Sequence, residues 1–242
     1  MANSRPLLGI VTALPAEARC LGVRAAPVGE SVRLAEDVHL IRCGIGRGRA
    51  GRAARELLQA GAGALLSWGT AAGLSRDLEH GDLVLPADVV SRDGHHYDVD
   101  SDWHHRLWQV AAAQGRAYEG GLAEADGALA DADDKLRMHT LTGALVADME
   151  SAAVAEAAHE ARVPLLIVRT VSDTVATRVP ASALAAMDRD GDVAVMRCLM
   201  RLARAPADLP ALLRLAVGFR AACLRLSRLA ALAGPAFRSG RP

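Results

Sequence analysis

Apolar positions along this chain follow two rhythms, and their alternation predicts an α/β fold. Continuous, partly β-branched runs at 7–14 (LLGIVTAL), 64–74 (ALLSWGTAAGL) and 164–173 (PLLIVRTVSD) predict strands buried on both faces of a parallel sheet. VRLAEDVHLIRCG at 32–44 sets Glu36 and Asp37 between two β-rich runs and predicts a hairpin, and GDLVLPADVV predicts a strand with Pro86 at an edge or bulge. The helical rhythm falls on PAEARCLGV, where Pro15 suits a first helical position, on SAAVAEAAHEARV, which Pro164 ends, and on the short segment 133–143. A further amphipathic helical region follows Pro180, interrupted near Asp190 and Gly191. From Leu209 to Leu232 a helical projection gathers Leu212, Leu215, Phe219, Ala222, Leu226 and Leu229 on one side, and Arg214, Arg220, Arg225 and Arg228 on the other. The stretch HHYDVDSDWHHRL at 95–107 is read as a solvated loop or a substrate-side lid.

With 242 residues, half of them apolar, the chain can bury a core as one large α/β domain or two small ones. Its zero formal charge argues against a nucleic-acid binder, yet no Asp or Glu follows Asp208, so the body is acidic and the tail basic. Such a tail sets a basic amphipathic extension over 206–242 apart from a body over 1–205. That extension docks on the body, on a second subunit or at an anionic membrane surface. Cys20, Cys43, Cys198 and Cys223 show no metal-binding or disulfide spacing, and no apolar run is long enough to span a membrane, so a reducing cytoplasm is expected. The histidines and aspartates of 95–107 lack the glycine and glutamate of a calcium loop and the preset geometry of a zinc site; no metal is expected.

Acids where strands end are the candidate chemistry. Asp148 and Glu150, two apart, share one face of an extended strand, with Met149 opposite, and Asp173 closes the apolar run where open sheets bind ligands. Their other reading is as a helix cap and a first-turn acid. Glu17 lies near the end of the first strand. Gly44, Gly46 and Gly48 precede a helix, as backbone that cradles an anion does, but no acid follows at the spacing of a dinucleotide fingerprint. The turn at Gly69 and Thr70 offers a hydroxyl and amides to an anion.

Taken in order, GIVTALPAEARCL, CGIGRGRA, SWGTAAGL, GDLVLPADVV, ADMESAAVA and VRTVSD resemble the purine nucleoside phosphorylase and methylthioadenosine/adenosylhomocysteine nucleosidase superfamily over about residues 7–176. Within it the chain is similar to the hopanoid-associated phosphorylases through GALVADMES, a shortened 118–143 region and its Arg/Leu-rich extension. The resemblance makes the body over 1–205 the catalytic domain and implies a three-layer α/β/α nucleoside phosphorylase-like fold with a mixed, partly closed central sheet, in a homo-oligomer acting on a small purine nucleoside. It implies Asp173 as the acid at the purine and Glu17 as the activator of water. Glu150, Met149, Asp148 and Leu129 fall around the nucleoside, and Gly46, Arg47, Gly69 and Thr70 around phosphate. The leading expectation is phosphorolysis of adenosylhopane, a lipid-linked substrate, with inorganic phosphate as co-substrate and no cofactor. The alternatives are a nucleosidase that hydrolyses methylthioadenosine or adenosylhomocysteine, and a nucleoside-binding or membrane-docking protein without turnover. Three departures bear on these: no aromatic stands near 126–130, Asp148 replaces a longer glutamate, and Ser67 stands where hexameric phosphorylases carry an arginine.

Overall fold

In the computed structural model, which describes residues 6–186, 188, 190–192, 200, 202 and 204–237, the three long apolar runs lie side by side. β1 (Leu7–Thr12) runs parallel to β4 (Ala62–Gly73), and β4 runs parallel to β9 (Leu165–Asp173). Between them come the predicted hairpin, β2 (Ser31–Ala35) and β3 (Val38–Arg42), then β5 (Leu83–Val90), β6 (His96–Asp98), β7 (Ala117–Glu124) and β8 (Val146–Asp148). The strand order is β2-β3-β1-β4-β8-β7-β5-β6, and β9 pairs with both β4 and β5. Those pairings close β4, β8, β7, β5 and β9 into a ring, the mixed and partly closed sheet expected. Pro86 sits at a register shift between β5 and β7, a bulge inside the sheet rather than on its edge.

Alternate residues of the central strands feed two cores, which is why those runs read as continuously apolar. Val11, Leu65, Ile167 and Val171 face α2 (Arg47–Gln59) and α5 (Ser151–Ala161), whose alanines allow close packing. Ile10, Leu66, Trp68 and Val168 face α1 (Pro15–Cys20), α3 (Ser101–Ala112) and the last helix, α7 (Leu209–Ala233). α4 (Ala132–Thr142) and α6 (Ala181–Ala186) flank the end of the sheet where β8 and β9 finish. The result is the expected three-layer α/β/α fold.

The stretch 95–107 is neither loop nor lid. His96–Asp98 pairs antiparallel with β5, and Asp100 caps α3 by accepting from the Trp103 amide at 2.7 Å. Trp103, Leu107 and Ala111 recur at four-residue spacing and are fully buried, a rhythm that the intervening His104, His105, Arg106 and Gln109 disguise. Among the described residues no cluster of His, Cys, Asp and Glu is arranged to hold a metal.

Much of the interrupted region after α6 lies outside the described residues. In α7 the projected apolar side is the one turned inward, with Ala222, Leu226 and Leu229 buried. Docking on the body therefore accounts for the amphipathic pattern. Leu213, Val217 and Leu224 are exposed on the outer side, and no described helix is long and apolar enough to cross a membrane. Arg225 caps the end of α3 by donating to the carbonyl oxygens of Gln114 (2.5 Å) and Ala111 (3.4 Å). Gly218 lets α7 approach β9: a Cβ there would lie 2.4 Å from the Ser172 carbonyl oxygen and 2.3 Å from His80 Nδ1. The last helix thus braces the strand end that carries Asp173.

Candidate active site

All the acids predicted at strand ends lie at one edge of the sheet, where parallel β1, β4 and β9 finish. Glu17 is placed by the turn from β1 into α1. Its Oε2 accepts from the amides of Ala13 (3.0 Å) and Leu14 (2.9 Å), a first-turn glutamate reaching back to its own helix start. Its Oε1 accepts from the amide (2.8 Å) and hydroxyl (3.0 Å) of Thr70. Burial pushes this carboxyl above the usual carboxylate range, against the Leu14 and Thr70 hydrogen bonds and the nearby Arg169 charge. Gly69 makes the approach possible, since a Cβ there would sit 2.7 Å from Glu17 Oε1.

Glu150 stands between the end of β8 and α5. Its Oε1 accepts from the Gly46 amide at 2.6 Å. Burial, then the neighbouring carboxylate of Asp148, raises its pKa to about 8. A carboxyl whose folded pKa lies above its unfolded value lends stability at low pH and loses it as pH rises through the folded pKa. Glu150→Gln is therefore expected to be the more stable form at alkaline pH. Its advantage over the wild type widens by about 1–2 kcal/mol between pH 6 and pH 9, after allowance for partial exposure. Urea melts at the two pH values measure this, and a constant or narrowing gap would contradict it.

Asp148, expected at the substrate, directs both oxygens to the protein itself. Oδ1 accepts from the amides of Glu150 (3.1 Å) and Ser151 (2.9 Å), capping α5, and Oδ2 accepts from Ser151 Oγ (2.5 Å) and Arg169 Nε (2.6 Å). Arg169, which sequence reasoning passed over, is buried and also donates to Ser67 Oγ (2.6 Å), Ser151 Oγ (2.7 Å) and the Val168 carbonyl (2.7 Å). Its signal was an arginine inside the apolar run LLIVRTV, a position that demands buried partners. Glu17, Thr70, Glu150, Ser67 and Arg169 line one cleft with about 10 Å³ of free interior, the scale of a single water molecule. Thr12 and Trp68 line it too, and the Thr12 hydroxyl and the Trp68 indole N–H have no partner among the described residues.

Three of the four groups expected to receive phosphate, Gly46, Thr70 and Arg47, are already held by a carboxylate of the chain. Gly46 donates its amide to Glu150, and Thr70 gives both its donors to Glu17. Arg47, the first residue of α2, is drawn to Glu124 (2.6 Å) and Glu156 (2.9 Å) on β7 and α5.

Asp173 lies farther along the same edge. A register shift between β9 and β4 sets it opposite Ala72, the kind of irregularity that re-aims a side chain. Oδ1 accepts from Ser172 Oγ (2.8 Å), and Oδ2 from Lys135 Nζ (2.5 Å). Leu129 and Met149 pack beside the small apolar cluster of Leu74, Ala123, Ala125, Ala144 and Ala147, next to the end of β8.

A family model described as the phosphorylase superfamily matches residues 26–205. A 5′-methylthioadenosine/S-adenosylhomocysteine nucleosidase from Shewanella piezotolerans is 28% identical over 163 residues, covering 57% of this chain and 69% of the relative. The nucleosidase of the same name from Neisseria meningitidis, solved with methylthio-immucillin-A, superposes with a TM-score of 0.68 at 17% identity, over 93% of this chain and 97% of that one. The futalosine hydrolase of Helicobacter pylori does so with a TM-score of 0.68 at 16% identity, over 93% and 95%.

Proposed function

We propose that this chain, which belongs to the phosphorylase superfamily, hydrolyses the N-glycosidic bond of an adenine nucleoside, with water rather than phosphate as the nucleophile. One observation carries the choice of water. The donors available for an anion at Gly46, Thr70 and Arg47 are filled by Glu150, Glu17 and the Glu124/Glu156 pair. The cleft also holds two carboxyl groups, Glu17 and Glu150, against the single guanidinium of Arg169, itself fixed to Asp148. A phosphate dianion would have to displace those carboxyl groups from the Gly46, Thr70 and Arg47 donors before it could be held there. The names of the similar proteins, nucleosidases and a hydrolase, support the same reading over phosphorolysis.

Glu17 takes a proton from water as its oxygen attacks C1′, and burial, by raising its pKa, makes it a stronger base than an exposed carboxylate. Glu150 accepts hydrogen bonds from the ribose hydroxyls, fixing the sugar for attack at C1′. As the C1′–N9 bond breaks, its electron pair moves into the purine, and Asp173 delivers a proton to N7. Leu129 and Met149 supply apolar contact for the base. Purified protein freed of phosphate is expected to release adenine from 5′-methylthioadenosine or adenosine at a rate that added phosphate leaves unchanged. Release that requires phosphate would establish phosphorolysis instead.

A further inference from the structure

Lys135 is the only lysine in the sequence, it is fully buried, and nothing in the reaction described so far uses it. α4 carries it across the edge of the sheet, and its ammonium donates to Asp173 Oδ2 (2.5 Å) and to the carbonyl oxygens of Thr174 (2.8 Å) and Thr177 (3.1 Å). All three of its donor positions are therefore filled. Asp173 accepts on Oδ2 from Lys135, and its Oδ1 lies 2.8 Å from the Ser172 hydroxyl. The single Ser172 hydroxyl hydrogen is shared between Asp173 Oδ1 and the Ala71 carbonyl oxygen (3.2 Å), whereas Oδ2 faces the ammonium directly, so Lys135 is the group placed to hand Asp173 the proton that the purine needs. Lys135 is the one neighbouring group that carries a transferable proton on that bond.

We propose that Lys135 is the proton source for the departing base, acting through Asp173 as a positioning residue. This rests on the hydrolytic reading above. One proton passes from the Lys135 ammonium to Asp173 Oδ2 and one from Asp173 to purine N7 as the C1′–N9 pair enters the ring. Lys135 is left as a neutral amine and Asp173 as a carboxylate. After the purine leaves, the amine regains its proton by way of Asp173, the member of the pair whose side chain is partly exposed. The two carbonyl contacts hold Nζ against Oδ2 through this exchange and tie the 174–177 turn to α4.

The test compares two leaving groups. Lys135→Met, with Lys135→Gln as a second variant that keeps a hydrogen-bond donor, is assayed on an adenine nucleoside and on p-nitrophenyl β-D-riboside. The nitrophenolate leaves without taking a proton. For whichever variant melts as a folded protein, kcat on the adenine nucleoside is expected to fall about 100-fold or more while KM changes less than about threefold. Turnover of the nitrophenyl riboside is expected to stay within about threefold of wild type. Equal losses on both substrates would assign Lys135 a structural role, and full adenine release would assign it none; either overturns the proposal. Failure of the wild type to release adenine would instead overturn the hydrolytic reading, and this proposal with it.

Discussion

Asp173→Asn is expected to lower kcat for adenine release about 10³-fold and, in the same molecule, to destabilise the fold by about 3–5 kcal/mol. The first effect follows because an amide cannot pass a proton to purine N7. The second follows because Lys135 is fully buried and loses the negative charge that balances it, keeping only neutral acceptors, the new amide oxygen and the carbonyl oxygens of Thr174 and Thr177. An uncompensated buried charge is among the few single changes with so large an effect. Adding Lys135→Met to Asp173→Asn removes the orphaned ammonium, so the double variant should recover most of the stability and none of the turnover. Denaturant melts and adenine release measured side by side check this. Recovery of both properties, or of neither, would contradict the assignment of one buried pair to both roles.

Glu17→Gln is expected to reduce kcat by about 10²–10³-fold while KM stays within about threefold of wild type. The side chain keeps its length but can no longer take a proton from water. One of its terminal atoms becomes an N–H donor, which must face either the Ala13 and Leu14 amides or the Thr70 pair. One set of two donors is then left without an acceptor, a local loss of about 1–3 kcal/mol, offset in part because a neutral group replaces a buried carboxylate. The acidic limb of the kcat profile should disappear with the carboxyl. A variant that raises KM and keeps kcat would place Glu17 in substrate binding instead.

The layers of this fold are plain in the sequence because β1, β4 and β9 are buried on both faces and leave unbroken apolar runs. Where an element is marked by polar residues, the sequence misleads. α3 hides Trp103, Leu107 and Ala111 among His104, His105, Arg106 and Gln109, and β7, AYEGGLAE, has glycines where a strand would show branched side chains. The site divides in the same way. Acids at strand ends are visible as a change from apolar to charged, and Glu17, Glu150 and Asp173 all fall at the expected edge. What those acids bind is set by partners remote in the chain: Asp173 is 38 residues from Lys135, Glu17 is 53 from Thr70, and Glu150 is 104 from Gly46. Arg47 looks free in GIGRGRA only because Glu124 and Glu156 lie 77 and 109 residues away. Spacing along the chain shows that a Gly-rich turn can hold an anion. Only the folded arrangement shows that the anion is one of the chain's own carboxylates.

The central claim is that Glu17 activates water at C1′ while the chain's own carboxylates occupy the anion-binding donors. Its most direct test is a single turnover of 5′-methylthioadenosine by excess enzyme in ¹⁸O-labelled water containing inorganic phosphate, with the sugar product analysed by mass spectrometry. The expected product is a free sugar carrying one ¹⁸O at C1. An unlabelled sugar 1-phosphate would contradict the account.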